Sequence, residues 1–141
     1  MGEIFFFNED ISFQLVQSDK ISSWIKEIVH SEGKSLNILN YIFCSDRFLL
    51  KINLEYLQHD SYTDILTFNQ SEVEGELEGD IYISIERVKE NAVLFGKSFL
   101  EELHRVMIHG ALHLLGYEDK SNIQKEQMRK KEEACLSLQK F

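Results

Sequence analysis

The spacing of hydrophobic and polar positions changes along the chain, and each change marks an element. Ile4-Phe5-Phe6-Phe7 is an unbroken apolar run and predicts a short buried strand. Ile21, Trp24, Ile25 and Ile28 recur at helical spacing. They predict a helix from Lys20 to about Ser31, capped by Ser18 or Asp19 and closed by Glu32-Gly33. Residues 35–44 are alternating or apolar and rich in β-branched and aromatic side chains, which favours a strand. Ser45-Asp46 then caps a second helix, from Arg47 to about Tyr56. Residues 63–68 and 80–85 read as strands, made antiparallel neighbours by the Gly75 to Gly79 connection. The acidic stretch holding Glu72, Glu74, Glu76 and Glu78 reads as a solvated loop. A helix follows from Glu86 to Phe95 and stops at Gly96. Ser98, with Glu101 three residues on, forms a capping box that opens the next helix. The last helix starts at Lys120 or Ser121 and runs to about Leu138, with Met128, Ala134, Cys135 and Leu138 as its inner residues. About four strands and five helices define an α+β class, with a small mixed sheet and helices packed around a buried central helix.

That central helix carries the candidate chemistry. From Val106 to Leu115 it has no polar face, so it reads as buried, and its only ionisable side chains there are His109 and His113. Four residues apart, they stack on one helical face and can grip a single metal ion. Gly116 can end the helix in a left-handed conformation and turn the chain back. Asp119 then comes within reach as a third, oxygen ligand. Three protein ligands leave a fourth position for water, which is the pattern of a catalytic rather than a structural zinc site. The plainer alternative is a pair of buried histidines satisfied by hydrogen bonds. His104, five residues before His109, points elsewhere and is expected at the surface or hydrogen-bonded.

Composition narrows this picture. With 141 residues, the chain suits one domain, 1–141, with one core. It has no proline and seven glycines, and no apolar run long enough to span a membrane. The opening segment lacks basic residues and a long apolar run, so no secretory signal is expected and a cytoplasmic location is. Cys44 and Cys135 are distant in sequence and are expected as free thiols. The net charge of −9 weighs against a broad phosphate-binding surface.

The stretch His109-Gly-Ala-Leu-His113-Leu-Leu-Gly116-Tyr-Glu118-Asp119 resembles the signature His-Gly-x-Leu-His-Leu-x-Gly-Tyr-Asp-His of the YbeY family, metal-dependent endoribonucleases of rRNA maturation. Residues 52–68 resemble a second family segment, Leu-Asn-x-x-Tyr-Arg-x-x-Asp-x-Pro-Thr-Asp-Val-Leu-Ser-Phe, and Gly79-Asp80-Ile-Tyr-Ile a third. Two departures stand out. Asp119 replaces the third histidine, and Leu57 replaces an arginine thought to serve the reaction. A guanidinium forks onto phosphate, and leucine cannot.

The resemblance implies a zinc-dependent endoribonuclease cutting single-stranded RNA at the 3' end of small-subunit rRNA, in ribosome maturation and quality control. One divalent ion per chain, most plausibly Zn2+, is expected on His109, His113 and Asp119. The attacking group is then a water activated by the ion. Glu118 is the candidate to orient a ligand histidine or take the water's proton. His59 and Lys51 are the candidate cations in place of the missing arginine. Asp60 and Thr63 are candidate substrate contacts, although their residue types and positions also suit turn formation, as do those of Asp64. Expected partners are single-stranded rRNA and ribosomal proteins or assembly factors, and no membrane. Two rival readings remain. One is a non-catalytic, metal-stabilised assembly factor, and the other is a metallopeptidase. The peptidase pattern wants a glutamate after the first histidine, where this chain has Gly110.

Overall fold

The computed structural model describes residues 2–57 and 63–141. The elements in chain order are β1 (Glu3–Asn8), α1 (Ser18–Ser31), β2 (Ser35–Cys44), α2 (Asp46–Ile52), β3 (Ile65–Asn69), β4 (Glu76–Ser84), α3 (Ile85–Phe95), α4 (Phe99–Leu114) and α5 (Asn122–Ser137). The α+β class holds: five α-helices and one four-stranded mixed sheet occur among the described residues. The sheet order is β1-β2-β4-β3, with β1/β2 and β2/β4 parallel and β3/β4 antiparallel. The expected pairing of the third and fourth strands is therefore present.

Strand periodicity divides the sheet into two faces. Leu39, Tyr41, Phe43, Ile81, Ile83 and Ile65 face the main core, together with α1, α3, α4 and α5. Cys44, Leu66, Phe68 and Tyr82 face the other side, under Leu49 and Ile52 of α2. Burial there pushes the Cys44 thiol up to about 12, which makes it an inert packing group. Both cysteines are free and buried, as expected.

Helix α4 closes on the sheet at two glycines. A Cβ on Gly110 would stand 2.8 Å from Ile65 Cδ1 and 2.9 Å from Ile81 Cγ2. A Cβ on Gly79 would stand 2.6 Å from the Phe68 carbonyl oxygen and 3.0 Å from Leu114 Cδ1. The predicted capping box is complete: Ser98 Oγ accepts from Glu101 N at 3.1 Å, and Glu101 Oε1 accepts from Ser98 N at 2.9 Å. Ser121 caps α5 in the same way with Gln124.

Several boundaries differ from the sequence reading. Helix α1 begins at Ser18 behind Gln17, which adopts a left-handed conformation and makes no side-chain cap, so neither Ser18 nor Asp19 serves. The second helix stops at Ile52 and continues as a π-helical turn over Asn53–Leu57, consistent with its loose apolar spacing. Strand β1 is a sheet edge, and Phe5 and Phe7 are 42% and 50% exposed rather than buried. Strand β4 starts at Glu76, so Glu76 and Glu78 belong to the strand and the solvated connection is shorter. On α5, Met128 and Cys135 are buried as expected, but Ala134 and Leu138 are exposed and Glu132 is buried instead.

Gly79→Ala is expected to destabilise the chain by about 1–3 kcal/mol, because its Cβ meets a backbone oxygen that cannot move aside. Urea unfolding of the two proteins measures this.

Candidate metal centre

Helix α4 presents His109 and His113 half-buried, while Met107, Ile108, Ala111 and Leu112 around them are buried. The helix then ends as the glycine predicts. Gly116 has φ +108°, its N–H donates to the His113 carbonyl at 3.0 Å, and the Tyr117 N–H donates to the Leu112 carbonyl at 3.0 Å. This pair of bonds is a Schellman closure, and it returns residues 117–119 toward the histidines.

Three ligand atoms converge there. His109 Nε2 lies 3.0 Å from His113 Nε2, and Asp119 Oδ2 lies 3.4 Å and 3.5 Å from the two nitrogens. Ligands bound at zinc-like distances to one tetrahedral ion stand about 3.3 Å apart. The observed separations match that edge length, so the donor set fits a divalent ion. His109, His113 and Asp119 form the metal-capable group among the described residues.

Both imidazoles are held from behind. Nδ1 of His113 contacts the Tyr117 carbonyl at 2.9 Å, and Nδ1 of His109 contacts a carboxylate oxygen of Glu132 on α5. A carbonyl or carboxylate can only accept, so each ring carries its proton on Nδ1 and directs the Nε2 lone pair at the common point. Glu132 belongs to a larger cluster. Its other oxygen accepts from Arg105 Nη1 at 3.1 Å, and Arg105 forks onto Glu102 through Nε at 3.0 Å and Nη2 at 2.7 Å. Burial alone would raise the Glu132 pKa; the His109 contact, aided by Arg105, outweighs it and holds the carboxyl below its ordinary value.

The 117–119 loop has its own anchor. The Tyr117 hydroxyl donates to Glu32 Oε1 at 2.7 Å, and Lys131 Nζ lies 2.8 Å from Glu32 Oε2. These contacts tie the end of α1, the metal loop and α5 together. Trp24 Nε1 adds a 2.8 Å bond to the Cys135 carbonyl, joining α1 to α5.

The remaining sequence candidates are distributed unevenly. Glu118 is exposed on the wall of the cleft and accepts from Gln124 Nε2 at 3.3 Å. Orientation of the histidines falls to Glu132 and the Tyr117 carbonyl instead. Lys51 is exposed on α2, which covers the opposite sheet face from the histidine pair. Thr63 Oγ1 donates to the Ile65 carbonyl at 3.3 Å, a turn-forming bond. The Asp64 carbonyl accepts from Ser84 N at 3.0 Å, and burial raises its carboxyl pKa despite the opposing charges of Arg105 and His109. His59 and Asp60 lie outside the described residues. Leu57 is exposed at the end of the π-helical turn.

His104 is not a surface residue. It is buried beside Trp24 and Phe141, with Gln139 Nε2 3.1 Å from its Nδ1, and its Nε2 has no hydrogen-bond partner among the described residues. Sequence reasoning missed Glu102, Arg105 and Glu132. The available signal was a carboxylate at position 132 four residues beyond Met128, on the same inward stripe of α5.

The metal group opens into a cleft of about 260 Å3 walled by Thr67 and Asn69 of β3, His113, and the 116–120 turn. A second hollow of about 290 Å3 shares Asn69 and Leu114 with it and continues toward Lys34. The position after the first histidine is closed to catalysis: Gly110 faces Ile65 and Ile81, so a glutamate there could not reach the cleft. That removes the geometric basis of the metallopeptidase reading.

A small mixed sheet with a His-x-x-x-His helix and a returning carboxylate makes this an α+β protein with a metal-capable site beside a cleft. The chain belongs to the family described as Endoribonuclease YbeY, whose pattern matches residues 6–140. It is 56% identical over 138 residues to an endoribonuclease YbeY of Cytophaga hutchinsonii, covering 98% of this chain and 96% of that one. A second such protein, from Amoebophilus asiaticus, is 52% identical over 93% of this chain and 89% of its own length. A solution structure of a Thermotoga maritima protein superposes with TM-score 0.61 at 33% identity, covering 96% of this chain and 90% of that one.

Hydrogen bonds from Lys131 and Tyr117 lower the Glu32 pKa from its ordinary 4.5, against the burial that raises it. A depressed carboxyl stabilises the fold above its unfolded-state value, and that contribution disappears as pH falls through the lower folded-state value. The stability gap between wild type and Glu32→Gln should therefore be full at neutral pH and close in acid below about 4.5. Urea unfolding across this range checks it.

Proposed function

We propose that residues 1–141 act as one metal-dependent hydrolase domain that cuts single-stranded RNA. Within that reading, the substrate is rRNA at the small-subunit 3' end, the setting is cytoplasmic ribosome maturation and quality control, and the resident ion is Zn2+. Ribosomal proteins or assembly factors are the expected protein partners. Among the described residues no helix is long and apolar enough to cross a membrane. The observation that carries the proposal is the convergence of His109 Nε2, His113 Nε2 and Asp119 Oδ2 in an open cleft, in a chain of an endoribonuclease family.

What a divalent ion supplies at such a site is Lewis acidity, which acidifies water and offsets charge on a phosphoryl oxygen. Two imidazole nitrogens and one carboxylate are a donor set that zinc takes in hydrolases, with the fourth position left to water. The chain's own groups do the rest. Glu132 and the Tyr117 carbonyl fix the rings and their tautomers. Asn69 and Thr67 offer polar contacts along the β3 wall, where a nucleotide's sugar or base edge would lie. Glu118, on the opposite wall, is the group we assign to receive the proton of the attacking water. His59 and Asp60 stay as proposed substrate contacts, and Thr63 and Lys51 as weaker ones given the placements above.

The second reading, an assembly factor that binds and does not cut, is favoured by Leu57 in place of the arginine and by the net charge of −9. Elemental analysis of untagged protein separates the first requirement: wild type carries about one zinc-like ion per chain, and His113→Ala loses it. Asp119→Ala is then expected to cleave single-stranded RNA at least roughly tenfold more slowly while binding it as wild type does. A wild type that takes up no ion even with added zinc would sink the hydrolase mechanism.

A further inference from the structure

We propose that Glu132 is a positioning residue for His109, and that the Arg105–Glu102 pair exists to hold it in that role. This rests on the metal reading above.

Helix α5 is strongly polar and exposes most of its charged residues, yet Glu132 has only 5% of its side chain exposed. Both of its oxygens are engaged, one by His109 Nδ1 and one by Arg105 Nη1. Glu102, 1% exposed, takes the other side of the guanidinium through two bonds. Burying charged groups is costly unless each is paired and hydrogen-bonded. A cluster that served only to staple α4 to α5 could end at the Arg105–Glu132 contact. Here it continues to the ring nitrogen opposite the metal-facing Nε2.

The chemistry of the contact gives the role. An ionised carboxylate only accepts, so it selects the Nδ1–H form of His109 and leaves Nε2 free to ligate. Arg105 makes this strict, because a guanidinium only donates. An amide at position 132 would turn its oxygen to Arg105 and its NH2 to His109 Nδ1. The ring would then shift its proton to Nε2, which cannot bind a metal in that form. Glu132→Gln is thus nearly isosteric but reverses the hydrogen-bond polarity at the histidine.

The test is zinc binding by competition with a chromophoric chelator, on the full chain, together with imidazole nitrogen NMR. Glu132→Gln is expected to weaken zinc binding about tenfold to a hundredfold. The His109 signal should move from the Nδ1–H to the Nε2–H form. Arg105→Gln, which keeps Glu132 in place but releases one anchor, should show a smaller loss in the same direction. It also serves as the readout if Glu132→Gln does not fold. A purely structural staple would lower the unfolding midpoint and leave zinc affinity and the His109 tautomer unchanged; that result overturns the proposal. A wild type that binds no zinc overturns the metal reading and this inference with it. Equal zinc affinity in wild type and both variants overturns this inference alone.

Discussion

Helix α4 has to lie against the sheet along one face and hold two imidazole edges open along the next, and adjacent residues meet these demands. Gly110 has no side chain, and a Cβ there would stand 2.8 Å from Ile65 Cδ1 and 2.9 Å from Ile81 Cγ2, so any other residue would make these side chains or the helix shift. His109, its neighbour, is carried by the same close approach to its place beside His113, whose ring lines the cleft. Interiors pack densely and transmit small displacements, so the spacing of helix and sheet sets where both histidine rings lie. The Schellman closure at Gly116 then determines where Asp119 arrives. Site geometry and core packing are one constraint in this molecule.

Local signals were legible in the sequence because they are set by neighbours along the chain. The capping box at Ser98, the stop at Gly96, the two stacked histidines and the return after Gly116 all depend on residues within a turn or two. What was not legible depends on contacts far apart in sequence. Residues 23 positions apart join Glu132 to His109, and 85 positions separate Glu32 from Tyr117. Helical phase places His104 away from His109, which left a surface position or a hydrogen-bonded one open, and the structure has the second, in the core. The chain's last residues cover it, with Gln139 and Phe141 against its ring. The break of α2 into a π-helical turn had only the irregular apolar spacing as its sign.

The acidic balance of the chain takes on a different meaning at the metal centre. Asp119 brings a negative charge where the family pattern has a neutral histidine. Glu132 and Glu102 add two more nearby, and Arg105 supplies one positive charge. With these carboxylates ionised and the imidazoles neutral, these groups sum to two negative charges, and Asp64, which feels Arg105 and His109, and Glu118 on the cleft wall stand near as well. Net charge therefore does not argue against phosphate chemistry here by itself, since the field near the cleft decides it. It does place a demand on the ion the site would hold: with one carboxylate among its ligands it would attract a phosphodiester less strongly than with three histidines.

That demand bears on the arginine replaced by Leu57. Arg105 bonds Glu132, the carboxylate that contacts His109, and its Nε and both terminal nitrogens serve Glu102 and Glu132. Three of its five N–H groups are committed there, so at most the two that remain are open to a phosphate. Leu57 and Asp119 would thus act on the proposed site in the same direction, toward a weaker electrostatic hold on a phosphodiester. On the function proposed above, RNA recognition would lean on the polar β3 wall of Thr67 and Asn69, because the hollow beyond Asn69 is lined by Glu72, Glu74 and Glu76 and repels phosphate. Such recognition depends on base and sugar edges and is less sensitive to salt than phosphate binding is.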